Sequence, residues 1–153
     1  MKPKPGAAWR WLLVALLAYV VLSDGVAIYL GLRLAEPQVW LIAVESAALL
    51  AAAMAVAAVL SRTFGRAFAL AAAVIQAASV FAGELWMRSM LANFDALVAA
   101  QPAVAKELAP IGNQMRAALS SPGHLLQFGA QLAVVLALAL TARKLRVEEA
   151  RRP

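Results

Sequence analysis

Apolar residues dominate four stretches of the chain, residues 11–32, 39–60, 67–87 and 125–142, each 18 to 22 residues long and nearly free of charge. About 20 such residues carry a helix across the hydrocarbon of a bilayer. The pattern therefore predicts four membrane spans. Between them, Ala35-Glu36-Pro37 breaks the first hairpin, with Pro37 placed to open the second helix, and the stretch from Ser61 to Arg66, containing Gly65, breaks the second. Turns this short make antiparallel neighbours of spans one and two, and of two and three. Ser121-Pro122 reads as N-cap and first helical position of span four, with His124 at its mouth.

The segment between spans three and four, residues 88–121, is patterned rather than loose. Met87, Met90, Leu91, Phe94, Leu97 and Val98 keep a helical spacing, so span three is expected to run on until Gln101-Pro102 stops it. Val104, Leu108, Ile111, Met115 and Leu119 form a second apolar stripe interrupted by Pro110, while Lys106, Glu107, Gln114 and Arg116 lie elsewhere on the turn. Such an amphipathic piece is expected to rest on the membrane surface or on a partner.

Within the spans, small residues recur in steps of four: Ala43, Ala47, Ala51 and Ala55; Ala69, Ala73 and Ala77; Gly129, Ala133 and Ala137. Stripes of this kind let helix backbones approach closely inside lipid, although a chain this rich in alanine also produces them by chance.

Composition agrees with the pattern. The chain of 153 residues is 64% hydrophobic and 14% charged, with a mean hydropathy of +0.79, far more apolar than a soluble domain of this size. The fold class expected is an all-α integral membrane protein, a four-span antiparallel bundle forming a single membrane domain over residues 1–153. Lys2, Lys4 and Arg10 ahead of the first run resemble the charged start of a signal peptide, but no small-x-small cleavage pattern follows. Apolar character resumes from Val26, so a retained anchor is expected.

Charge sets the orientation. Of the 14 Lys and Arg residues, ten fall at the head, in the second turn and in the tail: Lys2, Lys4, Arg10, Arg62, Arg66, Arg143, Lys144, Arg146, Arg151 and Arg152. The opposite side has Arg33, Arg88, Lys106 and Arg116. Basic residues resist translocation, so both termini are expected in the cytoplasm. The formal charge of +6 is thus an orientation signal, with anionic lipid headgroups as its natural contact. The basic residues are scattered over short juxtamembrane segments, which argues against nucleic acid as a partner.

The polar residues inside the spans are one-sided. Counted at 1.5 Å per residue from the outer ends, Asp24 lies roughly 12 Å deep, Glu45 about 9 Å, Glu84 about 5 Å, Gln127 about 3 Å and Gln131 about 9 Å. The inner half offers only Ser61 and Thr141 near its edge, and Gln76 lies near the midplane. Arg33 and Arg88 are placed to snorkel toward Glu36 and Glu84. Three readings compete for Asp24, Glu45, Glu84, Gln127 and Gln131. They are internal hydrogen-bonding groups that set helix register, with Ser23, Ser46, Tyr29 or the glutamines as partners of the acids. They belong to a surface that meets another membrane protein or a periplasmic toxin. Or Asp24 and Glu45 are a cation or proton site of a small transporter, a reading weakened by the apolar inner half.

Chemistry beyond binding finds little support. The chain has no cysteine and one histidine, and it lacks a phosphate-cradling glycine loop and metal-ligand spacing, so no catalytic residue, metal site or cofactor is expected and an enzyme is disfavoured. Ser120 and Ser121 near His124 are explained by capping. In layout the chain resembles small four-span bacterial inner-membrane proteins, among them accessory subunits of larger complexes and immunity proteins against membrane-targeting toxins. The resemblance implies an inner-membrane location in a bacterium and work done by association, with a membrane or periplasmic protein or a second copy of the chain, through the outer half. A cation- or proton-coupled transporter using Asp24 and Glu45 is the alternative.

Overall fold

The structure is a computed structural model, and it describes residues 5–33, 38–61, 63–101, 103 and 105–150. The Ala35-Glu36-Pro37 turn, Lys2, Lys4, Arg62, Pro102, Val104, Arg151 and Arg152 lie outside the described residues. Every regular element is helical: α1 Pro5–Leu32, α2 Val39–Ser61, α3 Arg66–Ala100, α4 Ala105–Leu119 and α5 Pro122–Ala150. Four of the five, α1, α2, α3 and α5, are long and apolar enough to cross a membrane. They pack in a ring, α1 on α2, α2 on α3, α3 on α5 and α5 back on α1, while α4 rests on α3 and touches α5.

The helices outrun the apolar stretches that announce them. The first begins at Pro5 and the last continues through Arg143, Lys144 and Arg146 to Ala150. Helix geometry propagates through charged residues as readily as through leucine, so the end of an apolar run is not the end of the helix. As expected, α3 continues unbroken through Met90 and Phe94 and stops at Gln101, whose N–H donates to the carbonyls of Leu97 and Val98. Ser121 caps α5 by accepting the His124 N–H at 3.1 Å. At the start of α3, Gly65 stands in extended conformation with no side-chain cap.

Pro110 does not interrupt its helix. It sits at the sixth position of α4, which continues past it to Leu119. The proline removes one backbone bond, and the tertiary contacts of α4 hold the helix through that loss. Gly112 presses on Phe94, where an added Cβ would lie 2.8 Å from the ring, and Arg116 pairs with Asp95 on α3. The amphipathic stripe is thus partly covered by the chain itself: Leu108, Met115 and Leu119 are half-buried, and Ile111 remains exposed.

The small-residue stripes need correction. On α2 the buried face is Ala48, Ala51, Ala52, Ala55 and Val59, while Ala43 and Ala47 are exposed. On α5, Gly129 and Ala133 are exposed and Val134, Ala137, Leu138 and Thr141 are buried. A step of four residues turns about 400°, so each step drifts about 40° and a stripe of three steps leaves the contact face by about 120°. Only on α3 do Ala69 and Ala73 stay buried, joined by Ala72, Gln76, Ser79 and Val80.

The resulting core is thin and alanine-rich. Leu13, Leu17 and Val20 meet Ala52, Ala55, Val59, Ala72, Ala73, Val134, Ala137 and Leu138, with Trp9, Phe64 and Phe68 packed around one end. Two hydrogen bonds tie that end together. Arg10 donates to the Val59 carbonyl at 2.9 Å, and the Trp9 indole donates to Thr141 Oγ1 at 3.1 Å. The outside of the ring is as apolar as its inside: Val39 is 76% exposed and Leu126 74%. A helix that is hydrophobic all round belongs in a large core or in a membrane.

Candidate functional site

At the other end of the ring the helices part. Between α1, α2, α3 and α5 lies a cavity of about 370 Å³, within the range of small-molecule sites. Its walls are mostly apolar, from Ala27, Ile28, Leu41, Ile42, Val80 and Met87, with the aromatic rings of Trp86 and Phe128. Set into them are Gln38, Glu45, Ser79, Glu84, His124, Gln127 and Gln131. Four of the five residues marked in the sequence, Glu45, Glu84, Gln127 and Gln131, therefore share one cavity. The fifth, Asp24, is not on its lining.

Each polar group reaches the cavity by helical spacing. On α5, His124, Gln127, Phe128 and Gln131 follow one another at intervals of three, one and three, which keeps them on one face. Gln38, just ahead of α2, and Leu41, Ile42 and Glu45 on it do the same. On α3 the lining residues Ser79, Val80, Gly83, Glu84 and Met87 include a glycine opposite the acid of α2. A Cβ on Gly83 would sit 3.7 Å from Glu45 Oε1, so the missing side chain leaves the carboxyl room.

The two cavity glutamates differ in company. Glu84 is shared: Arg88 donates to its Oε1 at 2.7 Å and His124 Nε2 lies 3.1 Å from its Oε2, joining α3 to α5. The pairing expected of Arg88 with Glu84 is formed. Arg33, whose other expected partner Glu36 lies outside the described residues, instead stacks on Tyr29, 5.0 Å from the ring centroid. Glu45 has no ion pair among the described residues. The one basic side chain on the described lining, His124, is already engaged with Glu84.

Asp24 is more isolated still. Its side chain is 1% exposed and its Oδ2 has no hydrogen-bond partner among the described residues. The expected bonds from the acids to Ser23, Ser46, Tyr29 or the glutamines are not formed; Gln127 Nε2 donates to Ser23 Oγ at 3.2 Å instead. Gln76, at mid-helix, is held by a 2.7 Å bond to the Ala48 carbonyl.

No protein-family model matches the chain, and no curated protein or solved structure does. Among the described residues, no group of three or more His, Cys, Asp or Glu is gathered closely enough to hold a metal ion. What remains is an apolar cavity with one carboxyl that has no ion pair among the described residues, an acid held by two basic groups, and several amides. Such a lining can orient and retain a guest. Sequence reasoning did not single out Gln38, Ser79, Gly83, Trp86 or Phe128, although their spacing relative to Glu45, Glu84 and Gln131 carries the signal.

Proposed function

We propose that this chain is a multi-pass membrane protein that works by association, receiving a guest in the cavity between its four spanning helices. The observation that carries the reading is that cavity: four helices converge on it, each contributing to one lining that mixes apolar walls with Glu45, Glu84 and Gln131. Membrane insertion is supported by the four long apolar helices and by their greasy outer faces. An antiparallel arrangement is supported by the bonds between opposite chain ends. Arg10 near the start of α1 meets Val59 near the end of α2, and Gln127 near the start of α5 meets Ser23 toward the end of α1.

On this reading the Trp9 and Val59 end, beside Arg66, Arg143, Lys144 and Arg146, faces the cytoplasm of a bacterial cell, and the cavity opens in the outer half. A reporter fused after Pro153 is expected to behave as cytoplasmic; a periplasmic signal would overturn the orientation. An accessory subunit or an immunity protein would use such a site by holding rather than converting. The chain purified from its own membranes and examined by native mass spectrometry should carry a retained species that is absent from a Gly83→Leu variant, whose side chain enters the cavity. Identical spectra for the two would overturn the binding reading.

A further inference from the structure

We propose that the cavity selects a small lipophilic cation of single charge, with Glu45 as its counter-charge. The inference rests on the reading of the cavity as the binding site and deepens it by naming the chemistry of the guest. Glu45 is the group that decides. It lines the cavity, Gly83 opposite leaves its carboxyl open, and no cationic side chain among the described residues pairs with it. An anionic guest would meet this carboxyl with no free basic group to offset it. A neutral apolar guest would strip water from the carboxyl and return nothing, which is costly in a cavity of low polarity.

The charge count sets the valence. Of the two acids on the described lining, Glu84 is already met by Arg88 and His124, so one is left to be matched there. Trp86 and Phe128 add aromatic surface to the same lining, and quaternary or tertiary ammonium groups are held by aromatic faces as well as by carboxylates. A volume of about 370 Å³ accommodates an ammonium head together with an aryl or short alkyl group. The apolar walls from Ile28, Leu41, Ile42 and Met87 suit that second part. A hydrated inorganic cation would find those walls hostile and only one carboxylate to replace its water.

The test uses the full chain in nanodiscs of zwitterionic lipid with two probes of the same shape, benzyltrimethylammonium and its neutral carbon isostere neopentylbenzene. Specific binding is the uptake lost in Gly83→Leu, with Phe128→Trp as a second, milder filling variant. Partition into lipid cancels because every protein is compared in the same disc. The cation is expected to bind at least ~10-fold more tightly than the isostere, in line with a charge pair supplemented by aromatic contact. Glu45→Gln, almost unchanged in shape, should remove that preference, and Glu45→Asp should retain it. If both probes bind alike and Glu45→Gln changes neither, while the filling variants abolish both, the cation inference falls and the cavity remains a binding site. Preference for the cation that survives Glu45→Gln removes Glu45 from the role assigned to it. If neither probe shows uptake above that of the filling variants, the binding reading falls with the inference.

Discussion

Replacing Asp24 with alanine should stabilise the protein. The carboxyl is enclosed by α1 and its neighbours at 1% exposure, and Oδ2 accepts no hydrogen bond from the described residues. A buried polar group left without a partner costs about 1–3 kcal/mol, and more if it is charged. Against that gain stands the void left by three heavy atoms. Taking it as about 40 Å³ and about 24 cal/mol per Å³, the loss is about 1 kcal/mol. The net expectation is a gain of about 0–2 kcal/mol. Asp24→Asn is the control: it keeps the shape, but its amide carries donors and an acceptor of its own, so no gain is expected. Reversible unfolding of the three proteins in mixed micelles, followed by helical circular dichroism against the mole fraction of denaturing detergent, measures the difference. A loss of more than about 1 kcal/mol in Asp24→Ala would refute the reasoning, because Oδ2 would then have to hold a favourable partner.

Other substitutions probe contacts elsewhere in the fold. Gly112→Ala brings a methyl to 2.8 Å from Phe94 and 3.3 Å from Arg116, itself tied to Asp95. Overpacking of about 1–3 kcal/mol should outweigh the ~1 kcal/mol that alanine gains in a helix. Amide exchange in α4 should therefore accelerate, with recovery in Gly112→Ala plus Phe94→Leu; slower exchange in the single variant would show that propensity wins. Ser121→Ala removes the acceptor of the His124 N–H and should cost about 0.5–2 kcal/mol by the same unfolding assay, with exchange rising first at His124. Gln76→Met breaks the bond to the Ala48 carbonyl. Interhelical bonds in lipid average about 0.6 kcal/mol, so a loss beyond about 2 kcal/mol would show that Gln76 does more than join α3 to α2.

Much of this architecture is legible in the chain because long apolar runs simplify the code. Runs near 20 apolar residues return as α1, α2, α3 and α5, and Ser121-Pro122 returns as a working cap. Phase is harder to read. When most residues on a helix are apolar, the usual contrast between a greasy inner face and a polar outer one disappears, and alanine steps of four point off the contact face, as Ala43 and Ala47 do. The cavity is visible only as a relation between helices. Glu45 and Gln131 stand out in sequence as polar residues within apolar runs, but that they share one space with Gly83 depends on the rotation of α2, α3 and α5. Pro110 shows the same limit from another side, since the docking of Gly112 on Phe94 outweighs a local helix breaker.

The same rotation decides between holding a guest and carrying it. From Glu45 to Val59, α2 rises about 21 Å, and along that length its buried side chains are Ala48, Ala51, Ala52, Ala55 and Val59. Opposite them stand Leu13, Leu17, Val20, Val134 and Leu138, packed into one cluster. The polar groups beside this column are already committed: Gln76 to the Ala48 carbonyl, and Thr141 to the Ala137 carbonyl and the Trp9 indole. Past Asp24, whose Oδ2 has no partner among the described residues, a proton or cation that reached Glu45 would find no free acceptor among those residues on the way to the other end, and crossing would mean parting a closely packed core. Proteoliposomes bearing the chain should show no flux above empty vesicles under a pH or cation gradient, even when the cavity binds its cationic probe. Flux that disappears in Glu45→Gln or Asp24→Asn would reverse the conclusion, because it would require a path that the packing of Leu17 against Ala52 and Leu138 does not provide.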